Sequence, residues 1–280
     1  MRVVFCFFLS ISLSLSLFFT SSGKGGNISP GDDPNFTIVS HDDEEFRVFN
    51  RKVVVFGIPI YAKRRVDDSK LLHTANIMAQ YLDNDEDGEV DNEAVLNAML
   101  EANAFMVMWK SHSDLIFLSS LDGKEGQDLG NDETIIDWHN NGKEGQFDAS
   151  LEEVLHIITH TGYANAYPDV FGEIQGSALC DAMDIARGGQ FFEMPDQYPK
   201  DAWYHYDDVT CEYDCMTTEY IYWALTSLLG AQANRGKEIG CEWELYTPEL
   251  VKETDVSIFQ LLMNEEYAFP TVLPDGRYMQ

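Results

Sequence analysis

The chain has 280 residues, of which 48 are acidic and 18 basic, for a formal net charge of -30. So anionic a surface argues against binding to nucleic acid or an anionic membrane, because phosphate contacts need cationic side chains; divalent cations, mineral surfaces or basic partners suit it better. With 45% hydrophobic and 12% aromatic residues, and the acids dispersed among the aromatics, the chain is expected to fold.

Residues 1–23 read as a cleaved secretory signal: one early cation at Arg2, an apolar, Ser-rich run to Thr20, then small residues. No later apolar run approaches spanning length, so a secreted, extracellular protein without membrane association is expected after cleavage. Residues 24–45 are Gly-, Pro- and Asp-rich and suggest a flexible acidic leader. Within this region Asn27 and Asn35 begin Asn-x-Ser/Thr glycosylation acceptors. Residues 46–280 are long enough for a single domain with a sizeable core. Beyond Cys6 in the signal, Cys180, Cys211, Cys215 and Cys241 form an even set, which in a secreted chain points to two disulfides with three possible pairings. A zinc site on Cys211 and Cys215 is the alternative, disfavoured in an oxidising compartment.

In chain order, FRVFNRKVVVFGIPIY (46–61) predicts one or two strands broken at Gly57 and Pro59. Helices are expected over about 67–82 and 92–106, a buried strand within 109–121, and a possible edge strand in ETIIDW. Ser150 and Glu153, spaced as a capping box, open a helix ending near Gly162. Further helices are expected over about 173–187, in TTEYIYWALTSLLG up to Gly230, and over about 248–264, followed by an irregular tail. Strands early and helices later favour an α+β fold: a small mixed sheet packed on helices, with a mainly helical carboxyl-terminal half.

The stretch DNDEDGEVDNEA (83–94) places Asp83, Asp85, Asp87 and Asp91 at positions one, three, five and nine, with Gly88 at six. It resembles the calcium loop of EF-hand proteins, and the resemblance implies that Glu89 contributes its backbone carbonyl at position seven. Position twelve, where that family carries a bidentate glutamate, is Ala94. The loop also resembles shorter DxDxDGxxD loops that borrow a ligand from elsewhere. A solvated acidic turn is the plainer reading, but four regularly spaced aspartates repel one another without a cation. Residues 145–148 imitate half of such a loop, so one structural calcium is expected, not a calcium switch.

The helix 150–162 contains LEEVLHIITHTGY from Leu151 to Tyr163. At about 100° per residue, Glu152, Glu153, His156 and His160 share one narrow face. His156 and His160 stand at i and i+4, the histidine spacing of HExxH. The helix resembles that of zincin metallopeptidases, although Ile157 replaces the glutamate after the first histidine. A second alignment makes Glu152 and His156 the ligands and Glu153 the base. The resemblance implies a third ligand from a later helix, for which Glu219 is the candidate, and hence zinc at His156, His160 and Glu219 with Glu153 as the catalytic base. The alternative is a salt-bridged helix face.

Two functions are therefore expected: metal-assisted hydrolysis of peptide or amide bonds, or non-enzymatic calcium binding in an extracellular or mineral matrix. His205 in WYHYDD and His73 read as polar surface or packing residues. No GxSxG elbow, Walker loop or dinucleotide fingerprint is present.

Overall fold

A computed structural model describes residues 33–111, 113–114 and 124–280. The signal segment, Asn27 and most of the strand expected within 109–121 lie outside these residues.

The fold is mixed α+β. Val53, Val54 and Val55 give β1 (Arg51–Val55) its extended preference, and the left-handed Phe56-Gly57 turn reverses the chain into β2 (Ile58–Ala62). β1 and β2 are antiparallel, whereas β3 (Phe105–Trp109) runs parallel to β2 and β4 (Gly126–Gly130) parallel to β3, in the order β1-β2-β3-β4. The β2-to-β3 crossover carries α1 (Asp68–Leu82) and α2 (Glu93–Glu101). From Leu71 to Leu82 every residue of α1 is buried. Its buried polar residues, His73, Thr74, Asn76 and Gln80, are each hydrogen-bonded, and α1 packs on β1, β2 and α4 (Ser150–Ile157).

One sheet face meets this helical layer through Val53, Val55, Ile60 and Met106. The other carries Phe49, Tyr61, Phe105 and Val107, onto which Phe46 folds; its ring stacks on Tyr61 at 4.0 Å. Much of the expected leader is thus tied down: Val39 bridges Lys52, and Asn76 donates to Asp33 at 2.8 Å. Asn35 is exposed, and its Nδ2 donates to the Tyr278 carbonyl at 2.6 Å.

Several boundaries differ from expectation. The helix expected to reach residue 106 ends at Glu101, because Asn103 adopts a left-handed conformation and the chain then enters β3. ETIIDW is no edge strand: Ile136–Asn140 form α3, with Trp138 buried. Ser150 does not cap through a box; its hydroxyl donates to Asp148 Oδ2 at 2.6 Å, and Glu153 bonds elsewhere. α4 continues past Ile157 as a π turn, Ile158–Tyr163, and then as the short helices α5 (Ala164–Ala166) and α6 (Pro168–Phe171). α7 (Ala178–Ala186) starts later than expected because Ser177 caps it, accepting from the Cys180 amide at 3.1 Å.

α8 (Tyr213–Leu228) is the longest described helix of the carboxyl-terminal half and is followed by α9 (Gly236–Ile239). The last expected helix is two, α10 (Pro248–Thr254) and α11 (Val256–Leu262), divided at Asp255, whose carboxylate accepts from the Ile258 amide. Cys211 and Cys215 are bridged across 5.4 Å between α-carbons. Cys180 takes no part in a disulfide: it is a buried thiol on α7, 3.4 Å from Thr217 Oγ1. Cys241 follows α9, its sulfur 3.7 Å from the Glu238 carbonyl.

Candidate metal centre

Leu151, Val154, Leu155 and Ile157 bury one face of α4, which leaves Glu152, Glu153 and His156 on the side facing α8. On α8, burial of Met216, Tyr220, Ile221, Tyr222 and Trp223 holds the half-buried Glu219 at the same junction. The packing of these two helices sets His156 Nε2 at 3.6 Å from Glu219 Oε2 and Nδ1 at 3.6 Å from Glu153 Oε2. Ligand atoms of Glu152, His156 and Glu219 all lie within 4.8 Å of one another. His156 is 6% exposed, and its Nε2 is buried without a hydrogen-bond partner. An imidazole nitrogen in that state carries a desolvation cost that a bound cation would offset.

The electrostatics agree with this. Burial and then the charges of Glu219 and Glu153 push the Glu152 carboxyl up to about 8, against the pull of His156 and the Tyr222 hydroxyl. Burial resists charging of His156, but Glu219 and Glu153 outweigh it and raise its pKa well above the ordinary histidine value. Glu242 is buried beside Trp223, whose Nε1 donates to it at 2.9 Å; burial and Glu219 raise its pKa to about 8. Carboxylates crowded this way favour a positive charge among them, which the protonated His156 ring supplies when no cation is bound.

His160 stands outside the trio. The π turn breaks the i, i+4 register after Ile157, so the ring is half-exposed, with Nδ1 2.5 Å from Glu173 Oε2 and Nε2 3.1 Å from Glu125 Oε2. The Glu173 bond is the main reason that its pKa rises to about 9. Glu125 also borders a 670 Å3 cleft lined by Phe46, Tyr61, Leu100, Phe105 and Lys124. Glu153 accepts from Gln127 Nε2 and sits on the Nδ1 side of His156, away from Glu219. Of the zinc set implied by the resemblance, the structure brings together His156 and Glu219, with Glu152 as their third member. Glu152 was legible only through the second alignment; Glu242 had no sequence signal.

In the acidic loop, oxygens of Asp83, Asp85 and Asp91 lie within 4.8 Å of one another. Gly88, with φ +93°, makes the expected turn, and its amide donates to Asp83 Oδ2 at 2.8 Å. Asp87 turns its carboxylate to the Glu89 amide at 2.8 Å, and Ala94 lies in the first turn of α2, its amide bonded to Asn92. Burial and the neighbouring aspartates raise the Asp91 pKa, partly offset by the Asn84 amide.

The carboxyl-terminal tail clasps this loop, which sequence reasoning did not anticipate. Tyr278 donates its hydroxyl to Asp83, Asn84 Oδ1 accepts from the Thr271 and Val272 amides at 2.9 and 2.8 Å, and Gln80 Oε1 accepts from the Asp275 and Gly276 amides. His205 is partly buried on the segment before α8, with Nδ1 3.9 Å from Glu244.

Comparison with known proteins finds no matching family model, no matching curated protein and no matching solved structure.

Proposed function

We propose that the protein is a divergent, zincin-like metallohydrolase that uses Glu152, His156 and Glu219 to hold one zinc ion, with peptide or related amide bonds as its substrates. The observation that carries this reading is the orphaned, buried His156 Nε2 between the carboxylates of two packed helices. One imidazole and two carboxylates form a donor set suited to zinc, and the partial exposure of both glutamates leaves the centre a solvent-facing side. Zinc there would supply Lewis-acid polarisation of an amide carbonyl. With a metal bound, Glu153, 3.6 Å away on the Nδ1 side, would favour the ring proton on that nitrogen and leave Nε2 to the ion. Glu242, whose pKa is raised by burial and then by the Glu219 charge, is a candidate for general acid-base work beside the centre.

Acidic charge and the Asp83, Asp85 and Asp91 group favour an added structural calcium, consistent with an extracellular setting. That loop alone would serve a non-catalytic matrix or mineral-binding protein equally well, and the α4–α8 centre is what favours the enzyme.

The test is zinc content after equilibrium dialysis of the full chain and of His156→Gln, Glu219→Gln and His160→Gln variants. The first two changes should each remove one equivalent, while the third leaves the content unchanged. Full zinc retention in His156→Gln protein refutes the proposal.

A further inference from the structure

We propose that His73, His139 and Asp148 form a second transition-metal site, of zinc type, that staples α1, α3 and the start of α4 together. Both imidazoles aim the same nitrogen at the same oxygen: His73 Nε2 and His139 Nε2 each lie 2.7 Å from Asp148 Oδ2. The other carboxylate oxygen is already engaged, because Asp148 Oδ1 accepts from the Ile135 amide at 2.8 Å and the Ser150 amide at 3.3 Å. The backbone therefore fixes the carboxylate and presents Oδ2 to the two rings, the arrangement in which outer contacts orient a metal ligand.

All three side chains are out of water, at 4%, 6% and 0% exposure for His73, His139 and Asp148. The ligand atoms lie within 4.8 Å of one another, and Ser150 Oγ stands 2.6 Å from Oδ2 as a further oxygen. Two imidazoles and a carboxylate suit zinc and its neighbours, whereas calcium prefers oxygen alone. A tetrahedral ion ~2.1 Å from each donor spaces them ~3.4 Å apart. Loading therefore opens the two nitrogen-to-oxygen contacts by roughly 0.7 Å, as the ion replaces the hydrogen shared in each.

The cluster is distinct from the α4–α8 centre in every ligand. It joins residues 75 and 9 positions apart in sequence, and on the α1 side the His73 ring meets Gly276 of the tail. A closed, buried site of this kind has a structural role, in contrast to the solvent-facing trio.

The experiment adds zinc to the chelator-stripped full chain in millimolar calcium and compares wild type with His139→Gln and His156→Gln proteins. Glutamine at 139 can still donate to Asp148 but is a poor zinc ligand. The expected result is two zinc equivalents in wild type and one in each variant, with a zinc-dependent rise in melting temperature that is reduced in His139→Gln. Wild-type zinc content in the His139→Gln protein overturns this site, while wild-type content in His156→Gln overturns only the α4–α8 centre. Imidazole nitrogen NMR of the wild-type chain gives a check free of substitutions: zinc should move the Nε2 signals of two histidines besides His156, and unmoved signals count against the site.

Discussion

Alanine at Gly276 tests whether the carboxyl-terminal tail is seated as described. Gly276 has φ +79°, and a Cβ there would collide with the His73 ring. That ring has little freedom to yield, because Asp148 holds its Nε2 at 2.7 Å and His139 packs edge-on against it at 5.2 Å. The left-handed backbone costs an alanine about 1–2 kcal/mol, and overpacking adds about 1–3 kcal/mol. Gly88 provides the control, with φ +93° but open space around its missing Cβ. Gly88→Ala should therefore show only the backbone cost, and the lower unfolded-state entropy of alanine is common to both. In calorimetry at low calcium, Gly276→Ala should lower the melting temperature by about 5–15 °C, at ~2–4 °C per kcal/mol for a domain of this size. If it falls no further than Gly88→Ala, the tail does not rest on α1 and the clasp on the acidic loop is also wrong.

Glu242→Gln probes the crowded carboxylates in metal-free protein. The folded pKa of Glu242, about 8, exceeds its ordinary 4.5, so its contribution is fully present below about pH 4.5 and is lost as pH rises through about 8. Equilibrium unfolding should find the variant close to wild type near pH 4.5 and more stable by up to about 5 kcal/mol above pH 8, at ~1.4 kcal/mol per pKa unit; a pH-independent difference refutes the assignment. Asp255 accepts from Trp203 Nε1 at 2.8 Å and from the Tyr220 hydroxyl at 2.7 Å. Asp255→Ala strands both donors and should cost about 2–5 kcal/mol in urea unfolding, a reading undone by a loss below ~1 kcal/mol. For the acidic loop, calcium at about a hundredfold above its dissociation constant should add ~2.7 kcal/mol. That gain should vanish in Asp85→Asn, whose wild-type side chain is exposed, and a persistent gain would place the ion elsewhere.

Periodic and composition-driven features were the legible ones. α1, α8 and the acidic loop declare themselves through apolar spacing, capping and the Asp-x-Asp-x-Asp-Gly pattern, all local signals. β4 is GQDLG, without a β-branched residue, and is a strand because β3 offers it a parallel edge. Ile135 and Ile136 look strand-like, yet the Ile135 amide is captured by Asp148 and the chain turns into α3. Asp255 splits the last helix because its carboxylate serves Trp203 and Tyr220, residues far away in sequence. In the candidate centre, His156 and Glu219 could be picked out by residue type, whereas Glu242 and the His73–Asp148–His139 cluster depend on contacts that no local spacing encodes.

The π turn over 158–163 bears on how such a helix could change over generations. A π turn holds one residue more than an α turn, as if a single codon had been inserted into an ordinary helix. Loss of one residue after His160 would let the helix rewind, returning that imidazole toward the face that carries His156. The two-histidine spacing written in the sequence thus fits an unbroken α-helix, and the π turn is what parts His160 from the group of Glu152, His156 and Glu219.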